Sequence, residues 1–476
     1  MSLASHLRIL TGSALFGAAC TPDVVPVVRG IPSSERALER AWSEVLDDVT
    51  RWRAEEGVAG VAVAVVVDGR TRFAEGFGLA GDDPVHPGTV FRWASVSKPF
   101  VATATLQAEA QGLLSLDDPL ADWLPDFTAV GPLAEEGPRL RHLLDHHSGI
   151  ADRLAWHCDT DDDWLQEAFS GGIDLPLLAP PGAFYNYSNS GYSALGAVLE
   201  LAHDRPFVEL IETEVLDPAG MRSATFSTDD ALDMGASPGL GQEGSLVMPL
   251  DEWDCAVARP AAWLHADIVD VARFVEQLDE GPLAQRMAAA KDTHWRADGG
   301  HRVGTGLFSI DYRSHHEAWV HDGWVAGFSS ELAWLPEERL GVVIVANRGP
   351  VDTTRLRSVV LDRFLGYDPQ LPRHEPVSDD LQLEWTGRYQ QPVEGFAPPW
   401  ATGTLEVSAS DGVLYLRTAN PSLGLFELVQ TDGDAYIVRV GGGVTSLRFL
   451  EHEGDRYLVN RAFVARRGPL HHPGVR

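Results

Sequence analysis

Apolar residues near the amino terminus recur at helical spacing. Between Ser34 and Glu56 they fall three or four positions apart, which predicts an amphipathic helix. The run Val58–Val67 that follows is almost continuously apolar, and Asp68-Gly69 separates it from a second strand-like run, Thr71–Gly78. Because Asp-Gly between two such runs is typical of a hairpin, the pattern predicts a helix followed by a β-hairpin.

The middle of the chain has a different pattern. A helix is predicted over Ser95–Gln111, and residues 115–280 are mainly helical, with loops rich in Gly, Pro and Asp. Strand patterns then return in Gly306–Tyr312, Ala318–Val320, Ser329–Leu335 and Val342–Ala346. Strands at both ends of a helical stretch favour one α+β domain over residues 34–365, with a sheet built from distant segments and a helical insertion beside it.

The carboxyl-terminal part has the pattern of a separate all-β unit. Residues 366–383 are rich in proline and acidic side chains and are interpreted as a linker. Residues 384–468 contain short alternating runs at Thr404–Ser408, Val413–Thr418, Leu425–Val429, Ala435–Val440, Thr445–Leu450 and Tyr457–Val464. Turns rich in Asp and Gly separate these runs evenly, which predicts a small antiparallel up-and-down barrel.

The first twenty residues have the pattern of an export signal. Arg8 precedes the apolar stretch Ile9–Ala19, which is too short to cross a bilayer but fits the apolar core of a signal peptide. The stretch ends in a sequence that resembles a lipoprotein processing site, so residues 1–20 are predicted to be a signal peptide with a lipid anchor at Cys20. The protein would then be periplasmic, attached to the cell envelope or secreted. A plain secretory signal and an irregular tail on an internal protein are the alternatives.

Composition narrows the classes of partner. The chain of 476 residues has 37 Lys and Arg against 69 Asp and Glu, a net charge of −32 that repels phosphate backbones, so no nucleic acid is expected to bind. Three cysteines exclude a disulfide scaffold and a four-sulfur metal site, although Cys158 and Cys255 could pair in an exported protein. After the amino-terminal stretch, no segment is apolar enough for a transmembrane helix.

Lysine occurs only at Lys98 and Lys291, so a basic side chain in this chain is almost always arginine. Arginine keeps its proton in proteins, whereas a lysine amine can be tuned toward neutrality and act as a base. Ser95 lies three positions before Lys98, a spacing that places both side chains on one face of a helix. In the first helical turn, unpaired backbone N–H groups can stabilise an anion. The pattern makes Ser95 a candidate nucleophile.

Two later segments add candidate chemistry. Tyr187 and Asn189 follow a Pro-Pro-Gly turn, and a tyrosine beside a lysine ammonium has a lowered pKa and can act as a general base. His321, Gly323 and Trp324 lie between strand-like runs, where a glycine allows substrate to approach a strand edge and the N–H of Trp324 could stabilise an oxyanion. A turn with stacked aromatic rings, and a turn histidine bonded to its neighbour, are the simpler interpretations.

Two other patterns indicate different chemistry. Gly235–Gly239 fits the nucleophile elbow of α/β-hydrolases, but Pro238 has no N–H for an oxyanion hole. His142 and His146 have a zinc-chelating spacing, but Leu143 stands where a zincin needs glutamate and no third ligand is evident. Capping or packing of a helix explains this pair better, so neither a metal nor a cofactor is predicted.

Three motifs together resemble the penicillin-recognising serine hydrolases, most of all the class C β-lactamase-related branch of D-aminopeptidases, DD-peptidases and esterases. The motifs are Ser95-x-x-Lys98, Tyr187-x-Asn189 and His321-x-Gly323. Between them lie further similar segments, Gly76–Ala80, Leu116–Leu120 and His142–Gly149, the last similar to the Leu-Leu-x-His-x-Ser-Gly segment of the family. The resemblance covers about residues 34–365 and implies an antiparallel sheet flanked by helices, plus a helical subdomain. The region from Trp385 to Arg466 is similar to the lipocalin-like barrels appended to some members.

The resemblance also implies roles for single residues. Ser95 would be the nucleophile that forms an acyl-enzyme with a small-molecule or short-peptide substrate, and Lys98 would deprotonate it or adjust the distribution of protons. Tyr187 would act as general base and then as acid for the leaving group, and Asn189 would bind a substrate amide. The N–H groups of Ser95 and Trp324 would form the oxyanion hole. Whether Lys98 or Tyr187 first accepts the proton stays open.

The chain departs from true β-lactamases at two places. His321 stands where they carry lysine, and histidine is a poorer anchor for a substrate carboxylate because it is only partly charged near neutral pH. This favours a peptidase, amidase or esterase over antibiotic hydrolysis. Trp263 follows two alanines where relatives often carry glycines, so its ring is expected to narrow the cleft. A true β-lactamase and a non-catalytic relative that binds cell-wall peptides are the alternatives.

Overall fold

The structure is a computed structural model. It describes residues 31–32, 34–126, 128–130, 137–151, 165, 169, 174–177, 179–183, 185–243, 246–249, 254–289, 302–313, 315–367, 385–390, 404–410, 413–419, 425–432, 435–440, 443–452, 455–460 and 463–468. The predicted signal peptide with Cys20, as well as Cys158, Lys291 and most of the predicted linker, lie outside the described residues.

The helices are given in chain order. They are α1 (Glu35–Glu56), α2 (Lys98–Ala110), α3 (Leu120–Trp123), α4 (Leu140–Leu144), α5 (Asn189–His203), α6 (Phe207–Ile211), α7 (Thr228–Asp233), α8 (Arg259–Ala262), α9 (Ile268–Glu276), α10 (Pro282–Ala289) and α11 (Thr353–Leu365). Short turns of 3₁₀ helix, Ser95–Ser97, Ala256–Ala258 and Gln277–Asp279, and a π-helical turn, Glu212–Leu216, adjoin some of them. Within the described parts of the chain, no helix combines the length and hydropathy needed to span a bilayer.

The strands fall into two groups. The first comprises β1 (Gly60–Val67), β2 (Arg70–Ala80), β3 (Asp83–Pro84), β4 (Phe91–Arg92), β5 (Thr128–Val130), β6 (Asp174–Pro176), β7 (Leu240–Glu243), β8 (Leu246–Pro249), β9 (His265–Ala266), β10 (Arg302–Val303), β11 (Phe308–Tyr312), β12 (His316–Val325), β13 (Phe328–Leu335) and β14 (Leu340–Ala346). The second comprises β15 (Gly387–Gln390), β16 (Thr404–Ser410), β17 (Val413–Arg417), β18 (Leu425–Asp432), β19 (Ala435–Val440), β20 (Gly443–His452), β21 (Asp455–Asn460) and β22 (Phe463–Arg467).

The main sheet joins distant parts of the chain, as the pattern predicted. Its strand order is β10-β11-β12-β13-β14-β1-β2-β3, and its pairings are antiparallel; for example, Val63 of β1 lies opposite Ile344 of β14. All residues of β1 are buried. Its alternate side chains enter two different cores, since Ala64 packs in the core that contains α9 and Val65 packs in the core that contains α1 and α11. A strand covered on both faces needs apolar residues at every position, which explains the continuous run.

The predicted hairpin is also present. Asp68 and Gly69 both have positive φ, 55° and 70°, as a type I′ turn requires, and β1 and β2 pair on either side of them. The predicted helix over Ser95–Gln111 begins as a 3₁₀ turn and continues as α2 to Ala110. The buried α2 packs against α5, α8 and α10, and Phe100 stacks on Phe274 of α9 with ring centroids 3.9 Å apart.

The carboxyl-terminal unit is all-β, and β15 pairs with both β16 and β22, which closes the strand order β15 to β22 on itself. Two features of its strands were not predicted. No separate run was assigned to β15, and the single run Tyr457–Val464 is divided between β21 and β22. Its interior contains the buried rings of Trp385, Tyr389, Tyr436 and Phe449. The likeness to lipocalins stays a prediction.

Candidate active site

A strained turn presents Ser95. Ala94, directly before it, has φ 48° and ψ −133°, a region that residues with a Cβ rarely adopt. The carbonyl oxygen of Trp93 accepts hydrogen bonds from the N–H of Val96 (3.2 Å) and the Oγ of Ser330 (2.6 Å), which ties this turn to β13. The turn thus places Ser95 between the central sheet and the start of α2.

Lys98 is fully buried directly behind Ser95. Its Nζ donates to the Oγ of Ser95 (3.2 Å), to the Oδ1 of Asn189 (2.8 Å) and to the carbonyl oxygen of Ala261 (2.7 Å). The last two of these acceptors cannot donate, so Lys98 donates to both, and the Oγ of Ser95 can take either role toward the amine. The side chain of Lys98 is therefore in direct contact with two other predicted site residues, Ser95 and Asn189.

Tyr187 completes this cluster from a loop before α5. Its ring centroid lies 4.6 Å from the Nζ of Lys98, and its side chain is 8% exposed. The next residue, Ser188, caps α5 by accepting the N–H of Gly191 at 3.0 Å. Because the cap fixes where the helix begins, it also fixes the positions of Tyr187 and Asn189 on either side.

His146 was not predicted to belong to the site, yet its ring stacks on that of Tyr187, with centroids 4.3 Å apart and an angle of 27°. His146 is buried and has φ 56°. Burial, and after it the positive charge of Lys98, lower the pKa of His146 well below its usual range, so its imidazole is neutral. The sequence singled out this residue through the similar segment His142–Gly149 and through its spacing from His142, and neither signal predicted a contact with Tyr187.

The zinc-like spacing of the histidine pair has a structural explanation. The Nδ1 of His142 accepts the N–H of Arg139 at 3.2 Å, in a capping arrangement at the start of α4. Within the described ranges, no group of three or more His, Cys, Asp or Glu side chains is arranged to hold a metal ion.

The third motif lies inside β12 rather than between strands, because the ladder to β13 continues through it and pairs Gly323 with Ser330. The buried ring of His321 lies 6.4 Å from that of Tyr187, and its Nδ1 contacts the carbonyl oxygen of Asp322 at 2.6 Å. The simpler interpretation expected a histidine bonded to its neighbour, and this contact has that form. The side chain of Trp324 is 51% exposed.

A buried ion pair lies on β13, the strand that pairs with β12. Glu331 of β13 lies opposite Asp322 in the ladder and accepts a hydrogen bond from Arg357 of α11 at 2.6 Å. Thr354, in the first turn of α11, also donates to Glu331 at 3.1 Å. The pair therefore joins α11 to the strand that follows the third motif.

Trp263 does not have the expected position. Its ring is buried in the core, its Nε1 donates to the Oγ1 of Thr228 at 3.1 Å, and the guanidinium of Arg92 lies 4.7 Å from its centroid. Packing in the core accounts for the large residue here, and a narrowed cleft does not. Cys255, a few residues earlier, is buried and disulfide-bonded, and its partner lies outside the described residues.

The order of the main sheet, with a buried helix that begins at Ser-x-x-Lys beside it, defines the class: proteins with the fold shared by β-lactamases and penicillin-binding proteins. Comparisons with known proteins agree. A family profile described as Beta-lactamase matches residues 42–363. The chain belongs to the β-lactamase family, which confirms the predicted family resemblance.

Individual relatives have modest identity. The chain is 27% identical to Penicillin-binding protein 4 of Amycolatopsis lactamdurans over 387 residues, 75% of this chain and 98% of that protein. It is 34% identical to Esterase EstB of Burkholderia gladioli over 191 residues, 36% of this chain and 48% of that protein. The fold of this chain also matches the solved structure of the octameric penicillin-binding protein homologue from Pyrococcus abyssi, with a TM-score of 0.61 and 20% identity. The match covers 90% of this chain and 100% of the homologue.

Proposed function

We propose that this protein is a serine hydrolase that cleaves an amide or ester through an acyl-enzyme on Ser95. The observation that carries the proposal is the 3.2 Å contact between the Nζ of Lys98 and the Oγ of Ser95, in a turn that the hydrogen bond from Ser330 to Trp93 ties to the sheet. A buried amine beside a fixed hydroxyl is an arrangement that activates a serine nucleophile.

The hydrogen bonds of Lys98 suggest how protons are shared. The Oδ1 of Asn189 and the carbonyl oxygen of Ala261 can only accept, whereas the Oγ of Ser95 can accept from an ammonium or donate to a neutral amine. With Lys98 as the ammonium, its charge stabilises a Ser95 alkoxide, and Tyr187, whose ring lies beside it, is the candidate for the base and for the acid that protonates the leaving group. Asn189 would bind a substrate amide, and the N–H groups of Ser95 and Trp324 would bind the oxyanion.

The state of His321 favours a particular kind of substrate. A carbonyl oxygen only accepts hydrogen bonds, so the contact with Asp322 makes Nδ1 the donor in either protonation state of the ring. A histidine is only partly charged near neutral pH, so it attracts a substrate carboxylate less than the lysine of true β-lactamases does. We therefore favour an esterase, amidase or peptidase over a β-lactamase.

The test combines labelling and turnover. A serine-directed phosphonate should add one adduct to the intact mass, and peptide mapping should place it on Ser95. Hydrolysis of p-nitrophenyl acetate should disappear in Ser95→Ala. Binding of cell-wall peptides without Ser95-dependent turnover would instead identify a non-catalytic relative. We also propose that the protein is exported and that Cys20 is acylated. Cell fractionation tests export, and the mass of the mature amino terminus tests acylation.

A further inference from the structure

The ring of His146 packs against the ring of Tyr187. The two rings stack with centroids 4.3 Å apart, and the ring of His146 also lies 5.0 Å from that of Tyr192, so it fills the space between two tyrosines. Stacked rings in a closely packed interior restrict each other's rotation. A change at His146 would therefore alter the freedom of the Tyr187 side chain.

His146 also holds the backbone on both sides of Tyr187. Its carbonyl oxygen accepts the N–H of Asn186 at 2.7 Å, and its Nδ1 accepts the N–H of Ser188 at 3.1 Å. One residue thus contacts the preceding residue, the following residue and the ring of Tyr187. Since the contacts are separated in sequence by about forty positions, they join the loop after α4 to the loop before α5.

The ring of His146 is uncharged, which avoids repulsion with the ammonium of Lys98. Because Nδ1 accepts the N–H of Ser188, the proton of the neutral ring is on Nε2. Among the described residues, Nε2 has no hydrogen-bond partner, and burial keeps the ring uncharged. An imidazolium here would repel the ammonium of Lys98 and weaken the cluster that contains Ser95.

We propose that His146 is a positioning residue that fixes the ring of Tyr187 against Lys98. This inference rests on the proposed function, because Tyr187 is the candidate base. His146 acts through Tyr187 and does not touch the substrate.

Two substitutions separate the ring of His146 from its hydrogen bond. His146→Asn keeps an acceptor near the position of Nδ1 and suits the positive φ, but removes the ring. His146→Phe keeps a ring for stacking but leaves the N–H of Ser188 without its acceptor. If the ring positions Tyr187, kcat for p-nitrophenyl acetate should fall about 10- to 100-fold in His146→Asn, with little change in KM, and only about threefold in His146→Phe. Thermal stability should follow the opposite order, with the Asn variant melting at the higher temperature.

His147→Asn is the matched control. The ring of His147 is also buried, but it meets the edge of Tyr185 at 6.3 Å, and its Nδ1 donates to the carbonyl oxygen of Asp145, which an asparagine amide can also do. Near pH 7.5 this variant should keep the kcat of the wild type. The proposal is wrong if kcat follows stability, with Asn at least as active as Phe, or if His147→Asn loses as much activity as His146→Asn.

A readout independent of turnover tests the same contact. The protein has nine tyrosines, and after ¹³Cζ labelling the NMR signal absent in Tyr187→Phe belongs to Tyr187. This signal should shift or broaden in His146→Asn and stay in place in His147→Asn. An unchanged signal in His146→Asn would overturn the positioning role even if the enzyme is active. If the wild type shows no Ser95-dependent turnover, the proposed function fails while this measurement still decides the contact.

Discussion

Gly323 of β12 lies directly against Ser95. A Cβ built on Gly323 would stand 3.1 Å from the backbone nitrogen of Ser95, 2.5 Å from the carbonyl oxygen of Trp93 and 2.3 Å from the Oγ of Ser330. The glycine is therefore required by the close approach of the strand to the turn that contains Ser95, and its own φ is not in the left-handed region. Both proposed oxyanion donors lie at this contact. The backbone nitrogen of Ser95 is one of the three atoms near the built Cβ, and Trp324 directly follows Gly323 in β12.

Gly323→Ala should separate the strand from the turn. Two of the three atoms it would meet are backbone atoms, and the third, the Oγ of Ser330, is hydrogen-bonded to one of them, so the structure has little room to relax. We expect kcat/KM for p-nitrophenyl acetate to fall by about a hundredfold and the free energy of unfolding to fall by about 1–3 kcal/mol. Gly137→Ala is the control, because a Cβ there meets no atom within 4 Å. Equal activity of the two variants would contradict the close approach.

Much of the fold follows from local pattern. The apolar run Val58–Val67, the Asp68-Gly69 turn and the return of strands after residue 306 were enough to predict one sheet built from distant segments. The path of the chain through β12 was not predicted in full, because Asp322 and Gly323 are poor strand formers that pairing with β13 holds in place. Tertiary pairing overrides local propensity there.

In the site, too, some features follow from local sequence pattern and others depend on tertiary contacts. The pairing of Ser95 with Lys98 was predictable because residues three apart share one helical face. The stacking of His146 on Tyr187 was not, since no periodicity relates two loops about forty residues apart. The conformation of Ala94 was also unpredictable, because alanine carries no signal for positive φ and the surrounding contacts impose it.

Lys98→Met should remove most of the activity and leave the protein folded. Methionine fills a similar volume without a charge, but it cannot donate to Ser95 or Asn189. We expect kcat to fall by about 10²- to 10⁴-fold, the range for loss of a group that assists proton transfer, with an unchanged near-UV circular dichroism spectrum. Lys291→Met, at the other lysine of the chain, should keep full activity. Retained turnover in Lys98→Met would exclude the amine from the mechanism.

His147 should make folding sensitive to acid. Burial lowers its pKa from 6.5 to about 4, although its bond to Asp145 opposes this shift. As the pH falls through 6.5, the unfolded imidazole gains a proton while the folded one does not, so stability present above pH 6.5 is lost between 6.5 and 4. Urea unfolding should show a loss of roughly 3 kcal/mol for the wild type relative to His147→Asn across this range.

An exposed histidine provides the comparison for that measurement. His86 lies at the surface, and His86→Asn is the exposed-histidine variant with which the loss in the buried position is compared. A difference between wild type and His147→Asn that does not vary with pH would show that His147 is not held neutral in the folded protein.

His321→Lys should change the choice of substrate. The substitution replaces a ring whose Nδ1 is bonded to Asp322 with an ammonium near Tyr187, and an ammonium forms a stronger, charge-assisted bond to a carboxylate. We expect the ratio of kcat/KM for a carboxylate-bearing β-lactam to that for p-nitrophenyl acetate to rise by about tenfold, equivalent to about 1.4 kcal/mol. His86→Lys adds the same charge at the surface and should leave the ratio unchanged. If His321→Lys still hydrolyses the ester but the ratio does not rise, residue 321 does not anchor the substrate carboxylate, and the preference for an esterase, amidase or peptidase over a β-lactamase needs another cause.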